Sequence, residues 1–277
     1  MSDVETLRAL PATENLNAIS RIVKEAEIVA LFLDFDGTIS HIVPRPGDAV
    51  LDTGIRKTLS SLAARPDFCI AVVSGRALAD VRERANIPNI AYVGNHGFEI
   101  ESGSTSFREP RAQTLKCELR ALALQLKLAL GDIEGVELKD KALTLSVHLR
   151  RVAEHFHDWV RQTVTDSVSR SRSFTTRQGK LVLEVRPQVP WNKGCAVRWL
   201  LRESLPAQCL PIYIGDDITD EDAFCQIPEG ITIKVGEPDA TEAQYFLPDV
   251  ASVGEFLTWL NQTKAHASLA NSQRAGR

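Results

Sequence analysis

Uncharged hydrophobic stretches alternate with amphipathic ones in the first hundred residues. The run from Ile28 to Leu33 has the branched and aromatic composition of a strand buried on both faces. A second run, Phe68–Val73, has the same character, and a third strand is predicted over 90–93. Segments with helical periodicity separate these runs. The pattern therefore predicts β-α-β-α-β units with right-handed crossovers and a parallel sheet.

The rhythm of the pattern changes after Gly97 and later returns. A long helix is predicted over 112–130 and another over 152–168, with strand-like segments joined by short turns around them, which is typical of an α+β unit with an antiparallel sheet. A helix opening at Lys193 and a strand over 210–214 restore the first pattern. We predict an α/β fold, a Rossmann-like parallel-sheet core with an inserted α+β domain. The expected ranges are 1–100 and 188–264 for the core, 101–187 for the insertion and 265–277 for a disordered tail.

Two carboxylates follow the first strand directly. Residues two apart in an extended chain project to the same side, so Asp34 and Asp36 point the same way at the carboxyl end of the strand, where open α/β sheets bind ligands. Gly37 permits a sharp turn and a close backbone approach. A solvated Asp-Gly turn is the simpler alternative. A calcium-binding EF-hand loop is excluded, because its glycine and glutamate positions hold Ile39 and Arg45.

Three more acidic residues, Asp216, Asp217 and Asp220, follow the predicted strand at 210–214. In a parallel sheet they share an edge with Asp34. Two like charges about 4 Å apart repel by about 4 kcal/mol at an effective dielectric near 20, so such a cluster needs a cation or must hold protons. Because every ligand atom on offer is an oxygen, we expect Mg²⁺ as the cofactor. Taken alone, this acidic run also suits a solvated helix start.

The same edge offers groups that suit a phosphate. Thr38 and Ser74 carry hydroxyls, and Gly75 leaves room for a backbone N–H to approach. Lys193 opens a helix, so its ammonium adds to the positive N-terminal end. Singly, Ser74 also suits a turn and Lys193 a solvated surface charge, but three polar strand ends in one sheet favour a shared site. The sequence has neither a P-loop nor a dinucleotide-binding fingerprint, so we expect no nucleotide site.

The composition limits the classes of partner. The 277 residues carry a net charge of −4 at pH 7, with 25% charged and 44% hydrophobic residues, which is ordinary for one or two globular domains. We therefore expect no nucleic-acid partner and no membrane partner. The N-terminal residues lack a signal-peptide pattern and the five cysteines lack paired spacing, so we expect a cytoplasmic protein with reduced thiols. A monomer is compatible with the sequence, which does not decide the oligomeric state.

Four short segments together resemble the motifs of the haloacid dehalogenase-like phosphatase superfamily. They lie at 34–38, 74–76, 193–194 and 215–217, and the mid-chain insertion is similar to a C2-type cap domain. Three further segments resemble the trehalose-6-phosphate phosphatases: Gly94–Gly97, Leu183–Pro187 and Gly215–Glu221. The resemblance implies a Mg²⁺-dependent, metal-binding hydrolase of trehalose biosynthesis that converts trehalose 6-phosphate to trehalose and phosphate.

The resemblance also implies roles for the core residues. Asp34 would be the nucleophile that forms an aspartyl-phosphate, and Asp36 would protonate the leaving sugar oxygen and then activate water. Lys193 would complete the catalytic set. The metal would be held by Asp34, the main-chain carbonyl of Asp36 and Asp216, with two neighbouring carboxylates, those of Asp217 and Asp220, orienting these ligands. The phosphate-binding residues would be Thr38, Ser74, Gly75 and Lys193.

Residues of the inserted domain and of the loop at 95–96 would bind the substrate. By resemblance, Lys180 and Glu184 match a sugar-contacting pair four residues apart. The implied substrate-binding residues are Asn95, His96, Glu137, Lys139, Arg150, Lys180 and Glu184. The stretch between Glu137 and Arg150 is longer here than in the family, and Leu149 occupies a position where an aromatic residue is usual.

Two other functions remain open at this stage. The chain suits another capped sugar-phosphate phosphatase, acting on sucrose phosphate or a glycosyl phosphoglycerate. It also suits, less well, a non-catalytic module of a sugar-synthesis complex. Loss of Asp34, Asp36, Lys193 or Asp216 would favour such a module, and all four are present.

Overall fold

The computed structural model describes residues 8–179, 181–238 and 240–275 of the chain, with side chains as far as residue 265. Within these ranges the strands are β1 (Leu10–Pro11), β2 (Ile28–Asp34), β3 (Phe68–Val73), β4 (Ala91–Gly94), β5 (Glu99–Ser102), β6 (Thr105–Arg108), β7 (Glu137–Asp140), β8 (Leu145–His148), β9 (Phe174–Gly179), β10 (Val182–Pro187), β11 (Cys209–Gly215), β12 (Ile231–Val235) and β13 (Tyr245–Leu247). The α-helices are α1 (Leu16–Glu25), α2 (Thr53–Ala63), α3 (Leu78–Ala85), α4 (Pro110–Thr114), α5 (Lys116–Leu130), α6 (His157–Ser169), α7 (Lys193–Glu203), α8 (Ile218–Phe224) and α9 (Val250–Ala275).

A nine-stranded sheet forms the core, in the order β1-β13-β12-β11-β2-β3-β4-β5-β6. From β1 through β4 in this sheet order, neighbouring strands pair in parallel. The hairpin of β5 and β6 then extends the sheet with antiparallel pairing. Strand β2 lies at the centre, between β11 and β3. The predicted α/β fold with a parallel-sheet core is confirmed.

The central strand β2 is apolar on both faces because helices cover both sides of the sheet. Leu31 and Leu33 pack into one buried cluster, and Ala30 and Phe32 into the other. Each large side chain of this kind stabilises the fold by about 1.5–3 kcal/mol when it is fully buried. The two layers fix β2, and with it the position of the acidic residues that follow it.

A second sheet, of four antiparallel strands in the order β7-β8-β10-β9, belongs to the inserted segment. One face packs on α5 and α6 through a separate cluster that includes Leu138, Val147 and Leu183. Because side chains alternate along a strand, Lys139, Ser146 and Glu184 lie on the opposite face, in one row across the sheet. This polar face is available to line a site.

The core sheet extends beyond the expected domain border. The predicted domain border after residue 100 falls inside β5, and the core sheet continues to Arg108 because the β5–β6 hairpin pairs with β4. Within the described residues α9 continues to Ala275, and a disordered tail over 265–277 stays a prediction.

None of the helices in the described ranges combines the length and the hydropathy needed to cross a lipid bilayer.

Candidate active site

The polar strand ends converge at the carboxyl edge of the core sheet. Strand β2 ends at Asp34, which lies opposite Val73, the last residue of β3. On the other side, Ile214 of β11 pairs with Leu33, so Asp216 follows immediately beyond the same edge. The parallel pairing therefore brings residues from distant parts of the chain to one place, as the sequence predicted.

Three carboxylates form a compact cluster there. Asp34, Asp216 and Asp220 each offer an oxygen, and these atoms all lie within 4.8 Å of one another. Gly37 permits this approach: its φ is +89°, and a Cβ atom at this position would lie 2.2 Å from Asp216 Oδ2. Buried like charges this close need a compensating cation. An all-oxygen set of this kind fits a hard divalent ion such as Mg²⁺.

Lys193 supplies positive charge from the other side of the cluster. Its Nζ atom donates hydrogen bonds to Asp34 Oδ1 at 2.6 Å and to Asp220 Oδ1 at 2.7 Å. Lys193 is the first residue of α7, and the Asn192 side chain caps this helix by accepting from the Cys195 N–H at 2.9 Å. The start of a helix thus holds the ammonium against the end of the central strand.

The ionisation of these groups is shaped by burial and by their neighbours. Burial disfavours the charged form of Lys193, yet the carboxylates of Asp220 and Asp34 raise the pKa of Lys193 above its ordinary value. Burial raises the pKa of Asp34 well above its ordinary value. Lys193 opposes this rise, and Asp220 and Asp216 add to it. A cation placed at the cluster would lower the pKa of Asp34 and so favour its ionised form.

Several hydrogen bonds hold the carboxylate of Asp220 in place. Its Oδ1 atom also accepts a hydrogen bond from the Tyr213 hydroxyl at 2.7 Å, and its Oδ2 accepts from the Asp217 N–H at 3.0 Å. Asp217 and Asp220 form a capping box at the start of α8. The role proposed from sequence for Asp220, orienting its neighbours, is compatible with these bonds, which fix Lys193 in place.

Asp36 lies closer to solvent, with 41% of its side chain exposed. Both of its oxygens accept hydrogen bonds from Arg76, from Nε at 2.7 Å and from Nη2 at 2.6 Å. The sequence pattern included Arg76 beside Ser74 and Gly75, but gave it no role. A charged residue directly after a polar strand end was the available signal.

The two hydroxyls expected to bind phosphate are buried. Thr38 Oγ1 lies 3.5 Å from Asp216 Oδ1 as a donor, and Ser74 Oγ accepts from the Arg76 N–H at 3.1 Å. Neither residue is among the described residues that line the cavity, whereas Gly75 is. Thr38 is thus held beside Asp216 and Ser74 beside the backbone of Arg76, and both are almost fully buried. Their phosphate contacts stay a prediction.

A cavity of about 510 Å³ lies between the carboxyl edge of the core sheet and the polar face of the inserted sheet. Its floor carries the core residues Asp34, Asp36, Lys193, Asp216 and Asp217. Its roof includes Lys139, Lys141, His148, Arg150, Glu184 and Arg186. Both walls of the cavity therefore carry charged side chains, and the space is large enough for a small polar ligand.

Glu184 is the centre of the roof. Its carboxylate accepts from Lys141 Nζ at 3.0 Å and from the Ser146 hydroxyl at 2.8 Å, and it lies 3.4 Å from His96 Nε2. Burial alone would raise the pKa of Glu184, but Lys141, His96 and Arg186 lower it well below its ordinary value. Glu184 is therefore an anion, and Lys141 is its main partner.

Lys141 also joins the roof to the floor, because its Nζ donates to the Gly75 carbonyl at 2.7 Å. By resemblance Lys139 is the expected substrate contact, and this stays a prediction. Lys139 lines the cavity, but its ammonium is 3.8 Å from the Glu137 carboxylate and is more exposed. Lys141 lies in a tight turn, where Asp140 Oδ1 accepts from the Ala142 N–H and Ala142 adopts a φ of +68°. The unusual spacing before Arg150 was the sequence signal for this turn.

The remaining expected substrate residues divide into three groups. His96, Arg150 and Glu184 line the cavity, and Arg150 also donates a hydrogen bond to the Val43 carbonyl. Asn95 is instead buried, where its side chain bonds Thr144, Glu99 and the Lys141 carbonyl. Glu137 is likewise not among the described residues at the cavity wall. Lys180 lies outside the described residues.

His96 and Arg186 meet behind Glu184. Arg186 Nη2 lies 3.0 Å from both ring nitrogens of His96. Burial, with a further contribution from the Arg186 charge, lowers the pKa of His96 well below its ordinary value. His96 is therefore neutral, and its contact with Glu184 is a hydrogen bond rather than an ion pair. Gly75 makes this packing possible, since a Cβ atom there would lie 2.2 Å from His96 Cε1.

Comparison with known proteins identifies close similarity along most of the chain. A trehalose-phosphate phosphatase of Mycobacterium tuberculosis is 39% identical over 250 residues, which is 87% of this chain and 63% of the relative. One from Mycobacterium marinum is 38% identical over 237 residues, 82% of this chain and 60% of the relative. The chain thus spans less than two thirds of the length of these curated relatives.

Solved structures share the fold. The C-terminal domain of a Candida albicans trehalose-6-phosphate phosphatase superposes with a TM-score of 0.79 at 20% identity, covering 93% of this chain and 99% of that one. An Aspergillus fumigatus trehalose-6-phosphate phosphatase has a TM-score of 0.60 at 26% identity, covering 92% and 99%. The family model for trehalose-phosphatase matches residues 32–251, a range that contains the whole acidic cluster, Lys193 and the roof of the cavity. This chain belongs to the trehalose-phosphatase family.

Proposed function

We propose that this chain is a Mg²⁺-dependent phosphatase that hydrolyses trehalose 6-phosphate to trehalose and inorganic phosphate. The observation that carries the proposal is the convergence of Asp34, Asp216 and Lys193 on the floor of one cavity. Membership of the trehalose-phosphatase family supports the choice of substrate.

Asp34 and Asp216 are the side chains that would hold the metal, and Asp220 offers a further oxygen to the same cluster. Bound there, Mg²⁺ would offset negative charge on the phosphoryl oxygens and keep Asp34 ionised. Lys193, fixed by Asp34 and Asp220, brings a second positive charge to the same oxygens as the charge on them develops.

In the first step, a carboxylate oxygen of Asp34 attacks the phosphorus atom. The bond between phosphorus and the sugar oxygen breaks, and Asp36 gives its proton to that oxygen, so that the neutral sugar leaves. In the second step, Asp36 takes a proton from water while the water oxygen attacks phosphorus. The bond to Asp34 then breaks, releasing inorganic phosphate and restoring both carboxyl groups.

The roof of the cavity would bind the sugar part. A disaccharide presents only hydroxyl groups, for which charged partners make the strongest hydrogen bonds. Glu184 and Arg150 line the cavity with Lys139 and Lys141 beside them. Because Lys141 also contacts the Gly75 carbonyl, the roof and the floor are joined next to the phosphate position. This arrangement would exclude water from the reacting atoms.

The test is phosphate release from a panel of sugar phosphates in the presence of Mg²⁺. We expect trehalose 6-phosphate to give the highest kcat/KM, ahead of sucrose phosphate, a glycosyl phosphoglycerate and glucose 6-phosphate. Preference for one of the other phosphates would keep the phosphatase chemistry and overturn the substrate. No phosphate release from any of them would overturn the proposal and favour a non-catalytic module.

A further inference from the structure

Arg76 donates two parallel hydrogen bonds to the carboxylate of Asp36. The distances are 2.7 Å from Nε to Oδ2 and 2.6 Å from Nη2 to Oδ1. Side-on pairing of this kind fixes the plane of the carboxylate as well as its position. The partners differ in exposure, since 8% of the Arg76 side chain and 41% of the Asp36 side chain are exposed. The buried partner is thus in a position to set the orientation of the exposed one.

Arg76 is itself fixed by several neighbours. Its Nη1 donates to Asp80 Oδ2 at 2.9 Å and its Nη2 donates to the Pro46 carbonyl at 3.0 Å. Its guanidinium lies 5.4 Å from the centre of the Phe35 ring. The guanidinium therefore has one favoured position, and most of its donors are used.

Asp80, which fixes Arg76, is itself held by Arg84. Asp80 Oδ1 accepts from Arg84 Nε at 2.8 Å, and Arg84 Nη1 donates to the carbonyls of Gly47 and Ala49 at 2.9 and 2.8 Å. A row of alternating charges on one side of α3 thus ties Arg76 to the loop around residues 46–49. Surface ion pairs are usually weak, but this row has well-formed geometry and ends on backbone atoms.

Asp36 needs such support because the fold provides little of its own. It lies two residues beyond the last residue of β2, in a turn, and it has only an isolated bridge to Ser40. A side chain at such a place has several accessible rotamers. Acid–base catalysis requires the carboxyl group within hydrogen-bonding distance of the leaving oxygen. Misplacement by about 1 Å can cost two orders of magnitude in rate.

We propose that Arg76 is a positioning residue for Asp36. One Asp36 oxygen accepts from Arg76 while the other carries the proton and faces the leaving oxygen, and the two-bond pairing of the carboxylate re-forms once that proton has been given to the sugar oxygen. The inference rests on the proposed function, because it concerns the acid–base step of that reaction. Arg76 does not touch the reacting atoms and acts only through Asp36. Through Asp80 and Arg84, the carbonyls of Gly47 and Ala49 help to fix Arg76 and so the Asp36 carboxylate.

The test compares kcat/KM for two substrates, because this quantity reports the steps up to departure of the leaving group. A sugar alkoxide needs a proton to leave, whereas p-nitrophenolate leaves without one. We expect Arg76→Met to lower kcat/KM for trehalose 6-phosphate roughly 10- to 100-fold. That is less than the roughly 10²- to 10⁴-fold contribution of general acid catalysis, because the carboxyl group itself remains. We expect a loss below about threefold for p-nitrophenyl phosphate. Arg76→Lys restores a positive donor but not the two parallel N–H groups of a guanidinium, so it should recover only part of the loss.

A double-mutant cycle with Asp36→Asn separates positioning from a merely structural role. If Arg76 acts through Asp36, adding Arg76→Met to Asp36→Asn should change kcat/KM by less than about threefold. The matched control is Arg82→Met in α3, the helix that follows Arg76. The Arg82 side chain is 66% exposed and pairs with Glu101 at the surface. This control should match the wild-type protein on both substrates.

Equal losses on the two substrates, or multiplicative effects in the cycle, would overturn the inference. If Arg76→Met lowers the melting temperature too far for assay, Asp80→Asn replaces it, since it removes the anchor and should show the same substrate asymmetry in weaker form. Failure of the proposed function would look different, because the wild-type protein would then release phosphate from neither substrate.

Discussion

Lys193 Nζ lies 2.6 Å from Asp34 Oδ1, although 159 positions separate the two residues along the chain. The same ammonium lies 2.7 Å from Asp220 Oδ1. Both carboxylates and the lysine are almost fully buried. The central strand, the start of α7 and the start of α8 are therefore held together by charge as well as by packing, at the point where we place the reaction.

Replacing Lys193 with methionine should remove both activity and stability. Two buried carboxylates would lose their cation, and breaking a buried ion pair in this way costs about 3–5 kcal/mol in unfolding free energy. Urea unfolding at pH 7 without added metal measures the effect. Arg82→Met, which removes an exposed pair, should change the unfolding free energy by less than about 1 kcal/mol. Equal losses in the two variants would contradict the picture of a buried charge cluster.

Gly37 should tolerate no side chain. A Cβ atom would lie 2.2 Å from Asp216 Oδ2, and the backbone φ of +89° is strained for any other residue. We expect Gly37→Ala to lose most of its phosphatase activity and to need much higher Mg²⁺ concentrations for the rest. Gly47→Ala is the control, because nothing lies within 4 Å of a Cβ atom there. An unchanged Mg²⁺ requirement in Gly37→Ala would show that Asp216 does not depend on this close approach.

The two lysines of the β7–β8 turn should differ in importance. Lys141 is 11% exposed and contacts both Glu184 and the Gly75 carbonyl, whereas the Lys139 ammonium is 34% exposed and has a long contact with Glu137. We expect Lys141→Met to lower kcat/KM for trehalose 6-phosphate at least about tenfold more than Lys139→Met does, as befits a charged hydrogen-bond partner in a buried site. Steady-state kinetics on both variants measure the difference. A larger effect at Lys139 than at Lys141 would contradict this ranking of the two lysines.

Much of the floor of the site could be predicted from sequence, because simple rules govern it. Alternating strands and helices imply a parallel sheet, and polar residues at its strand ends must meet at one edge. Asp34, Asp216 and Lys193 follow from this argument. The roof could be predicted less well. The contact of Lys141 with Glu184 spans 43 positions of the chain, and it lies beside a tight turn in which Ala142 has a φ of +68°.

Long-range contacts between side chains were also beyond the sequence. The bidentate pairing of Arg76 with Asp36 spans 40 positions, and no periodicity marks it. Asn95, expected to contact the substrate, instead joins Thr144 and the Lys141 carbonyl. A polar residue in a loop near a site has the same sequence signature in both roles, and only the packing around it distinguishes them.

The buried His96 should make the protein less stable at mildly acidic pH. Burial and Arg186 lower the pKa of His96 well below its ordinary value of 6.5, although Glu184 opposes this. The unfolded chain therefore takes up a proton first as pH falls below about 6.5, and the unfolding free energy drops by up to about 1.4 kcal/mol per pH unit. This contribution is fully present above that pH.

Other groups affect stability in the same range, so the measurement must be a difference. The pKa of His148 is also lowered by burial and acts in the same direction, whereas burial raises the pKa of Asp34 and acts in the opposite one. Urea unfolding of the wild-type protein and of His96→Gln between pH 5 and 8 cancels both. We expect the wild-type protein to lose more stability than the variant on acidification. Parallel pH curves would show that His96 is not held neutral in the folded protein.

The most direct test of the central claim is phosphate release from trehalose 6-phosphate by the wild-type protein and by Asp34→Asn, each with Mg²⁺ and after its removal with a chelator. We expect release only from the wild-type protein with Mg²⁺ and its recovery when Mg²⁺ is restored, while both proteins keep the same circular dichroism spectrum. Turnover that persists in Asp34→Asn, or that is indifferent to the chelator, would contradict the account.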